Sequence, residues 1–170
     1  MRMETLDDLF LEQLRELYGA EQQLVKALAE MAANAASENL RQAFRQHREQ
    51  TLEHVHRLEQ CFRELGKYGG AETVHAMEGL IQDGERAVQA IVLSPLRDAA
   101  LIGVARRIEH HEIAAYSGTL SLARLFGWER IAGLLEQTLQ EEEKTDATLT
   151  QIADTVVNQE ALQLGAHQEA

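Results

Sequence analysis

Apolar residues recur along most of this chain at intervals of three and four positions, which is the spacing of one face of an α-helix. The first long stretch of this kind begins near Thr5 and fades near Asn34, and the second begins at Ser37 and ends at Gly66. Threonine and serine can cap the N-terminus of a helix, and glycine commonly ends one. The pattern therefore predicts a pair of long helices in the first half of the chain.

The second half of the chain repeats this pattern after a shorter amphipathic stretch at 73–92. We predict long helices at 96–126 and 128–157, because Gly127 separates two periodic segments. The pair Ser94-Pro95 separates the short helix from the third long one, since proline disfavours a helical conformation in the residue before it. Two hairpins of long helices joined by a long connection are typical of the ferritin-like four-helix bundle.

The predicted fold class is therefore all-α: two antiparallel hairpins with a long crossover that contains a short extra helix. We assign residues 1–157 to this bundle domain. The periodicity is weak from Asn158 to Ala170, and we expect this segment to be a flexible C-terminal tail.

Composition restricts the classes of partner. The formal net charge of -12 makes nucleic acid and anionic membranes poor candidates. The chain has no apolar run long enough to span a bilayer and no secretory signal pattern. Its one cysteine, Cys61, cannot form an internal disulfide, which fits a reducing compartment. We therefore expect a cytoplasmic protein.

Ionisable or amide side chains interrupt the apolar stripe of every long helix near its middle. Burying an isolated charge is costly, so such groups need a partner or a metal ion. In an antiparallel bundle these levels can coincide, and the stripes lack lysine and arginine as inward partners. The inward set comprises Glu21 in the first helix, His47, Gln50 and His54 in the second, Glu109 and Glu112 in the third, and Glu142, Glu143 and Asp146 in the fourth.

Carboxylates with a few imidazoles suit iron or manganese, and two ions bridged by glutamates neutralise several inward carboxylates together. We predict the inward set as the ligands of such a centre, with di-iron preferred and manganese as the alternative. Helix two also contains a literal Glu-x-x-His motif, Glu53 to His56, but the helical period places it on the outer face. A salt-bridge network of buried acids is the structural alternative.

The residues next to the inward set are predicted to have roles other than metal binding. Tyr116 shares the stripe of Glu109 and is predicted to lie in the core, with its hydroxyl bonded to a carboxylate. The histidines His110 and His111 point away from the stripe, and Glu141 is predicted to face solvent.

Four segments of the chain, in order and together covering most of it up to about Ala153, resemble the YciE/YciF family of bacterial ferritin-like stress proteins. These segments are LYGAEQQLVKAL, AMEGLI, RDAALIGVARRIEHHEIAAY and LLEQTLQEEEKTDATL. The resemblance implies a homodimer, a carboxylate-bridged di-metal centre and a role in stress. Members of the family often carry His-x-Glu-Glu-Thr where this chain has His47-Arg48-Glu49-Gln50-Thr51, so Gln50 replaces a carboxylate.

The leading hypothesis is therefore a cytoplasmic di-metal protein of stress defence that reacts with oxygen or peroxide, as an oxidase, a peroxidase or a manganese-catalase-like enzyme. The alternative is a non-catalytic, metal-free helical dimer whose inward acids are protonated or bonded to water. An iron-storage cage has less support, because no stretch of the sequence identifies a mineral-nucleating surface.

Overall fold

The computed structural model describes residues 3–70 and 72–166. Within these ranges the chain forms helices and turns and contains no β-strand. The α-helices are α1 (Leu6–Asn34), α2 (Glu38–Glu64), α3 (His75–Ala90), α4 (Pro95–Leu125), α5 (Glu129–Ile152) and α6 (Asn158–Ala166).

The helix N-termini lie where the capping residues predict them. Thr5 and Asp8 form a reciprocal capping box at the start of α1. The side chain of Ser37 accepts a hydrogen bond from the backbone N–H of Leu40 at the start of α2. Ser94 accepts one from the N–H of Arg97 at the start of α4, where Pro95 takes the first helical position.

Two glycines end the hairpin helices. Gly66 follows α2 with a φ of 62°, and Gly127 follows α4 with a φ of 70°. These left-handed conformations carry no Cβ penalty at glycine, so the chain can leave the helix and begin the next segment at once.

The four long helices form a closed ring of contacts. The α1–α2 hairpin packs on the α4–α5 hairpin, with α2 against α5 and α1 against α4, while α3 lies across α1 and α4. The crossover between the hairpins carries α3, as the sequence predicts. The fold is therefore an all-α, ferritin-like four-helix bundle.

Two apolar clusters fill the bundle, one toward each end. One contains Leu28, Phe44, Leu101 and Leu149, and the other contains Phe10, Leu58, Leu120 and Leu135. Each long helix contributes to both clusters, and buried polar side chains lie between its two contributions or, in α1, beside their boundary. The core thus consists of two apolar layers separated by a polar one.

A buried aspartate, to which no motif in the sequence points, holds the α1–α2 turn. The carboxylate of Asp98, on α4, accepts hydrogen bonds from the backbone N–H groups of Ala36 (2.7 Å) and Ser37 (2.6 Å). Asp98 is fully buried, so these bonds compensate the loss of its hydration.

The C-terminal segment continues from α5 through a π-helical turn at Ala153–Val157 into α6. Val157 is fully buried, and α6 packs against α4. Residues 167–170 lie outside the described part of the chain, and the flexible tail stays a prediction. No helix among the described residues has both the length and the apolar character needed to cross a membrane.

Candidate metal centre

The polar layer consists of six residues, each at most 3% exposed, contributed by all four long helices. The predicted inward orientation of these residues is confirmed. They are Glu21 on α1, His47 and His54 on α2, Glu109 and Glu112 on α4, and Glu142 on α5.

One triad of potential ligands joins three helices. Nδ1 of His54 lies 2.9 Å from Oε1 of Glu142 and 3.3 Å from Oε1 of Glu21. One ligand atom from each of these residues lies within 4.8 Å of the other two. Two ligands on opposite sides of one ion, at bond lengths of about 2.1 Å, are roughly 4.2 Å apart, so the spacing fits one ion.

A second triad shares Glu142 with the first. Nε2 of His47 lies 3.1 Å from Oε1 of Glu109 and 3.9 Å from Oε2 of Glu142. These three residues also place one ligand atom each within 4.8 Å of one another. Because Glu142 offers one oxygen to each imidazole, its carboxylate joins the two triads.

Many of these ligand atoms have no hydrogen-bond partner although they are buried. Both oxygens of Glu112 and of Glu142, Oε2 of Glu21 and of Glu109, and both ring nitrogens of His47 are in this state. Buried polar atoms are nearly always hydrogen-bonded, and each exception requires an explanation. Atoms that approach one another without hydrogen-bond alignment are expected where they converge on an ion.

The charges of the layer also indicate a site for a positive ion. Burial raises the pKa of Glu21, Glu112 and Glu142, and it raises the pKa of Glu109 to about 8. No lysine or arginine among the described residues forms an ion pair with these four carboxylates. The layer therefore lacks the counter-charge that four ionised carboxylates require.

The ring of His54 is oriented from outside the triads. Its Nε2 lies 2.9 Å from Oε2 of Glu141, and because a carboxylate only accepts, Nε2 carries the proton. Arg57 donates to both oxygens of Glu141, at 2.7 and 3.0 Å. A histidine held in this way by a carboxylate is the usual arrangement around a metal, and it turns Nδ1 toward Glu21 and Glu142.

The prediction that Glu141 faces solvent is therefore wrong. Burial alone would raise the pKa of Glu141, but hydrogen bonds from Arg57 and His54 lower it below its ordinary value. Its side chain is only 25% exposed, because both partners come from α2 and cover it. The helical period of α5 does not contain this information, since the contact joins residues 87 positions apart.

Tyr116 is confirmed as a core residue. Its hydroxyl donates a 2.5 Å hydrogen bond to Oε1 of Glu21, and its side chain is fully buried. This bond fixes one oxygen of Glu21 and leaves the other, Oε2, unpartnered.

Three of the predicted ligands lie outside the layer. Glu143 is exposed, since it follows Glu142 by one position and points to another face of α5. Asp146 pairs with Arg106 at 2.8 Å instead. Gln50 is half-buried and lines a small cavity beside His47.

The residues that the helical period predicts on the outer faces of the helices are exposed. Glu53 is exposed, and the side chains of His56 and His110 are 60% and 63% exposed. The Glu-x-x-His motif of α2 is therefore not part of the layer.

The donor set could hold metal ions, because carboxylate and imidazole groups are common metal ligands. Positive ions would also balance the buried carboxylates Glu21, Glu109, Glu112 and Glu142. Glu21, His54 and Glu142 would hold an ion at one triad, and His47, Glu109 and Glu142 would hold one at the other.

Comparison with known proteins identifies relatives along nearly the whole chain. The family described as a domain of unknown function, DUF892, matches residues 5–162. Protein YciF of Escherichia coli strain K12 is 39% identical over 163 residues, which are 95% of this chain and 98% of YciF. This confirms the resemblance to the YciE/YciF proteins.

Solved structures share the fold. The crystal structure of the E. coli stress protein YciF superposes with a TM-score of 0.88 at 39% identity and covers 92% of this chain and 99% of its own. YcfI of Rhodopseudomonas palustris, for which a structural role has been suggested, gives a TM-score of 0.84 at 34% identity, covering 86% and 94% of the two chains. A protein of Xanthomonas campestris, 21% identical, shares the fold with a TM-score of 0.73 and covers 95% and 97%. The chain belongs to the DUF892 family and is a relative of the stress protein YciF.

Proposed function

We propose that this protein is a ferritin-like di-metal carboxylate protein that binds iron or manganese and acts in stress defence. The observation that carries the proposal is the pair of buried triads that share Glu142. The same side chains contain buried atoms without hydrogen-bond partners. Among the described residues, no lysine or arginine forms an ion pair that would balance the negative charge of these carboxylates.

The chain's own residues define what such a centre could do. Iron or manganese, once bound, would supply the electrons that reduce oxygen or peroxide. The carboxylate of Glu112 has two oxygens without hydrogen-bond partners, so either oxygen could bind an ion. Tyr116 and Glu141 hold Glu21 and His54 in place, and an apolar cluster packs on each side of the layer.

The first experiment is metal analysis of protein purified without a histidine tag, followed by anaerobic addition of Fe(II) or Mn(II). We expect two ions per chain from the two triads. Consumption of oxygen by the iron form and decay of peroxide with the manganese form then test the reaction. The proposal would be contradicted if the purified protein contains no iron or manganese and takes up neither ion when it is added.

A metal-free role is the second candidate, and one observation favours it. Burial would lower the pKa of His54, but the charges of Glu21 and Glu142 and its hydrogen bonds raise it to about 11. A protonated His54 would carry a positive charge 2.9 Å from an oxygen of Glu142 and 2.9 Å from an oxygen of Glu141, which would balance part of the buried negative charge without a metal. This candidate predicts a stable helical dimer whose unfolding does not respond to a chelator.

The cellular setting is also a proposal. The name of YciF connects that relative with stress. We propose that this chain has a related role, as a homodimer in the cytoplasm. Light scattering of the purified protein tests the dimer, and fractionation of stressed cells tests the location.

A further inference from the structure

A cavity of about 420 Å³ lies between α1, the segment that precedes α3, and α4. We call it the α1–α4 cavity. Its walls include the exposed residues Glu16, Glu72 and His75, so it opens at the protein surface. At roughly 30 Å³ per water molecule, it has room for about a dozen waters, which is enough for a hydrated cation.

Glu112 forms the inner end of this cavity. It lines the cavity wall, is 0% exposed, and has no hydrogen-bond partner on either carboxylate oxygen. The charges of Glu21, Glu142 and Glu109 act on it, which places it beside the two triads. Glu112 therefore lies between the cavity and the two triads and belongs to neither triad.

The charge of the cavity wall favours cations. Glu12, Glu16 and Glu72 line it, and it includes no lysine or arginine among the residues described. A cleft lined by one sign of charge raises the local concentration of counter-ions and their rate of arrival.

A second cavity also reaches the polar layer, but its lining does not favour cations. It lies between α2 and α5, ends at His47, and has a volume of about 80 Å³. Lys144 lines it, so its charge opposes a cation, and its volume holds only two or three waters. A larger cavity of about 550 Å³ between α1 and α3 includes none of the six side chains of the layer.

We propose that divalent cations reach the centre through the α1–α4 cavity, and that Glu112 receives them at its inner end. The proposal rests on the di-metal function proposed above. It assigns Glu112 the role of passing the ion to the triads, which agrees with its burial, its unpartnered oxygens and its position. The ligand class is a hydrated divalent cation such as Fe(II), Mn(II) or Co(II).

Two glycines of α4 provide a matched test. Gly118 lines the α1–α4 cavity, whereas Gly103 does not, and a Cβ added at either position meets no atom within 4 Å. Both are exposed positions in the same helix. Gly118→Phe can therefore fill the cavity without a clash at Cβ, and Gly103→Phe controls for the added ring.

The measurement is the rate at which the metal-free, full-length protein takes up Co(II), followed by stopped-flow visible absorbance. We expect Gly118→Phe to slow uptake while the Co(II) bound per chain at equilibrium stays as in the wild type. Gly103→Phe and Thr148→Phe, which fills the small cavity at His47, should leave the rate unchanged.

A charge variant gives an independent readout if the phenylalanine variant folds poorly. The double variant Glu16→Gln, Glu72→Gln should slow uptake by roughly tenfold at low salt and weaken its dependence on ionic strength. Glu53→Gln, an exposed acid on α2 outside the cavity, is the control.

The outcomes separate this inference from the proposed function. Wild-type uptake rates in Gly118→Phe, or slow uptake in Thr148→Phe instead, would overturn the access route and leave the di-metal centre standing. Absence of Co(II) binding at equilibrium in the wild type would instead contradict the centre itself.

Discussion

The hydroxyl of Tyr116 lies 2.5 Å from Oε1 of Glu21 and donates a hydrogen bond to it across the α1–α4 interface. The same oxygen is 3.3 Å from Nδ1 of His54. Tyr116 therefore fixes one oxygen of the Glu21 carboxylate in the first triad, while Oε2 remains without a hydrogen-bond partner.

Tyr116→Phe removes this hydrogen bond and keeps the ring. We expect the free energy of unfolding of the metal-free protein to fall by about 1–3 kcal/mol, because Glu21 loses a partner while fully buried. Urea denaturation measures the change. The exposed Tyr68 is the control, and Tyr68→Phe should alter stability by no more than about 0.5 kcal/mol. Equal effects in the two variants would show that the bond to Glu21 contributes nothing.

Glu142→Gln should abolish metal binding at both triads, because its two oxygens face His54 and His47. The neighbouring exposed residue provides the control, and Glu143→Gln should bind metal as the wild type does. Metal-free Glu142→Gln should be less stable than wild type at neutral pH, because His54 then loses one of the two carboxylates that keep it protonated. Metal per chain and urea unfolding of the two variants check both expectations.

The fold could be predicted from the sequence because its signals are local. Apolar spacing, the caps at Thr5 and Ser37 and the breaks at Gly66 and Gly127 each act within one helical turn or hairpin. The role of Asp98 cannot be predicted in this way, because its partners at the α1–α2 turn are 61 and 62 residues away. Nothing in the sequence around Asp98 indicates that contact.

The site could be predicted only in part, for the same reason. Residues at the centre of an apolar stripe, such as Glu109, must face inward, whereas residues at its edge take their orientation from a neighbouring helix. Asp146 turns to Arg106 of α4, and Glu141 turns inward to His54 and Arg57 of α2. The helical period fixes a face to within about 100°, which does not decide these edge positions.

Asp98→Ala should lower the free energy of unfolding by about 1–3 kcal/mol or more, since the backbone N–H groups of Ala36 and Ser37 lose a buried charged acceptor. The metal content of this variant should remain that of the wild type, because Asp98 belongs to neither triad. Thermal unfolding and metal analysis of Asp98→Ala, with the exposed Glu53→Ala as control, check this. Unchanged stability would mean that another group caps the turn.

The stability of the metal-free protein should fall as pH rises. The pKa of Glu109 is raised by burial from 4.5 to about 8, so folding takes up a proton between these values. His54 acts in the same direction between 6.5 and about 11, because Glu21 and Glu142 outweigh its burial. Both contributions to stability are complete below the unfolded pKa of each group and are lost as pH rises through the folded one. Urea unfolding in chelator from about pH 6 to about pH 9 should show this decline.

Glu109→Gln serves as the control for that decline. It removes one of the titrating groups, so its metal-free form should lose less stability over the same pH range. Metal-free stability that increases with pH in the wild type would contradict the assignment of raised pKa values to the buried carboxylates.

Addition of Fe(II) or Mn(II) should raise the thermal midpoint, and a chelator should reverse the rise. At an ion concentration of about 100 times the Kd, one site stabilises the folded state by about 2.7 kcal/mol. For a chain of 170 residues this corresponds to roughly 5–10 °C. The rise should grow with pH, because ions compete with protons for Glu109 and the other raised carboxylates. Glu142→Gln should show no rise with either ion, and an identical wild-type midpoint with and without metal would favour the metal-free alternative.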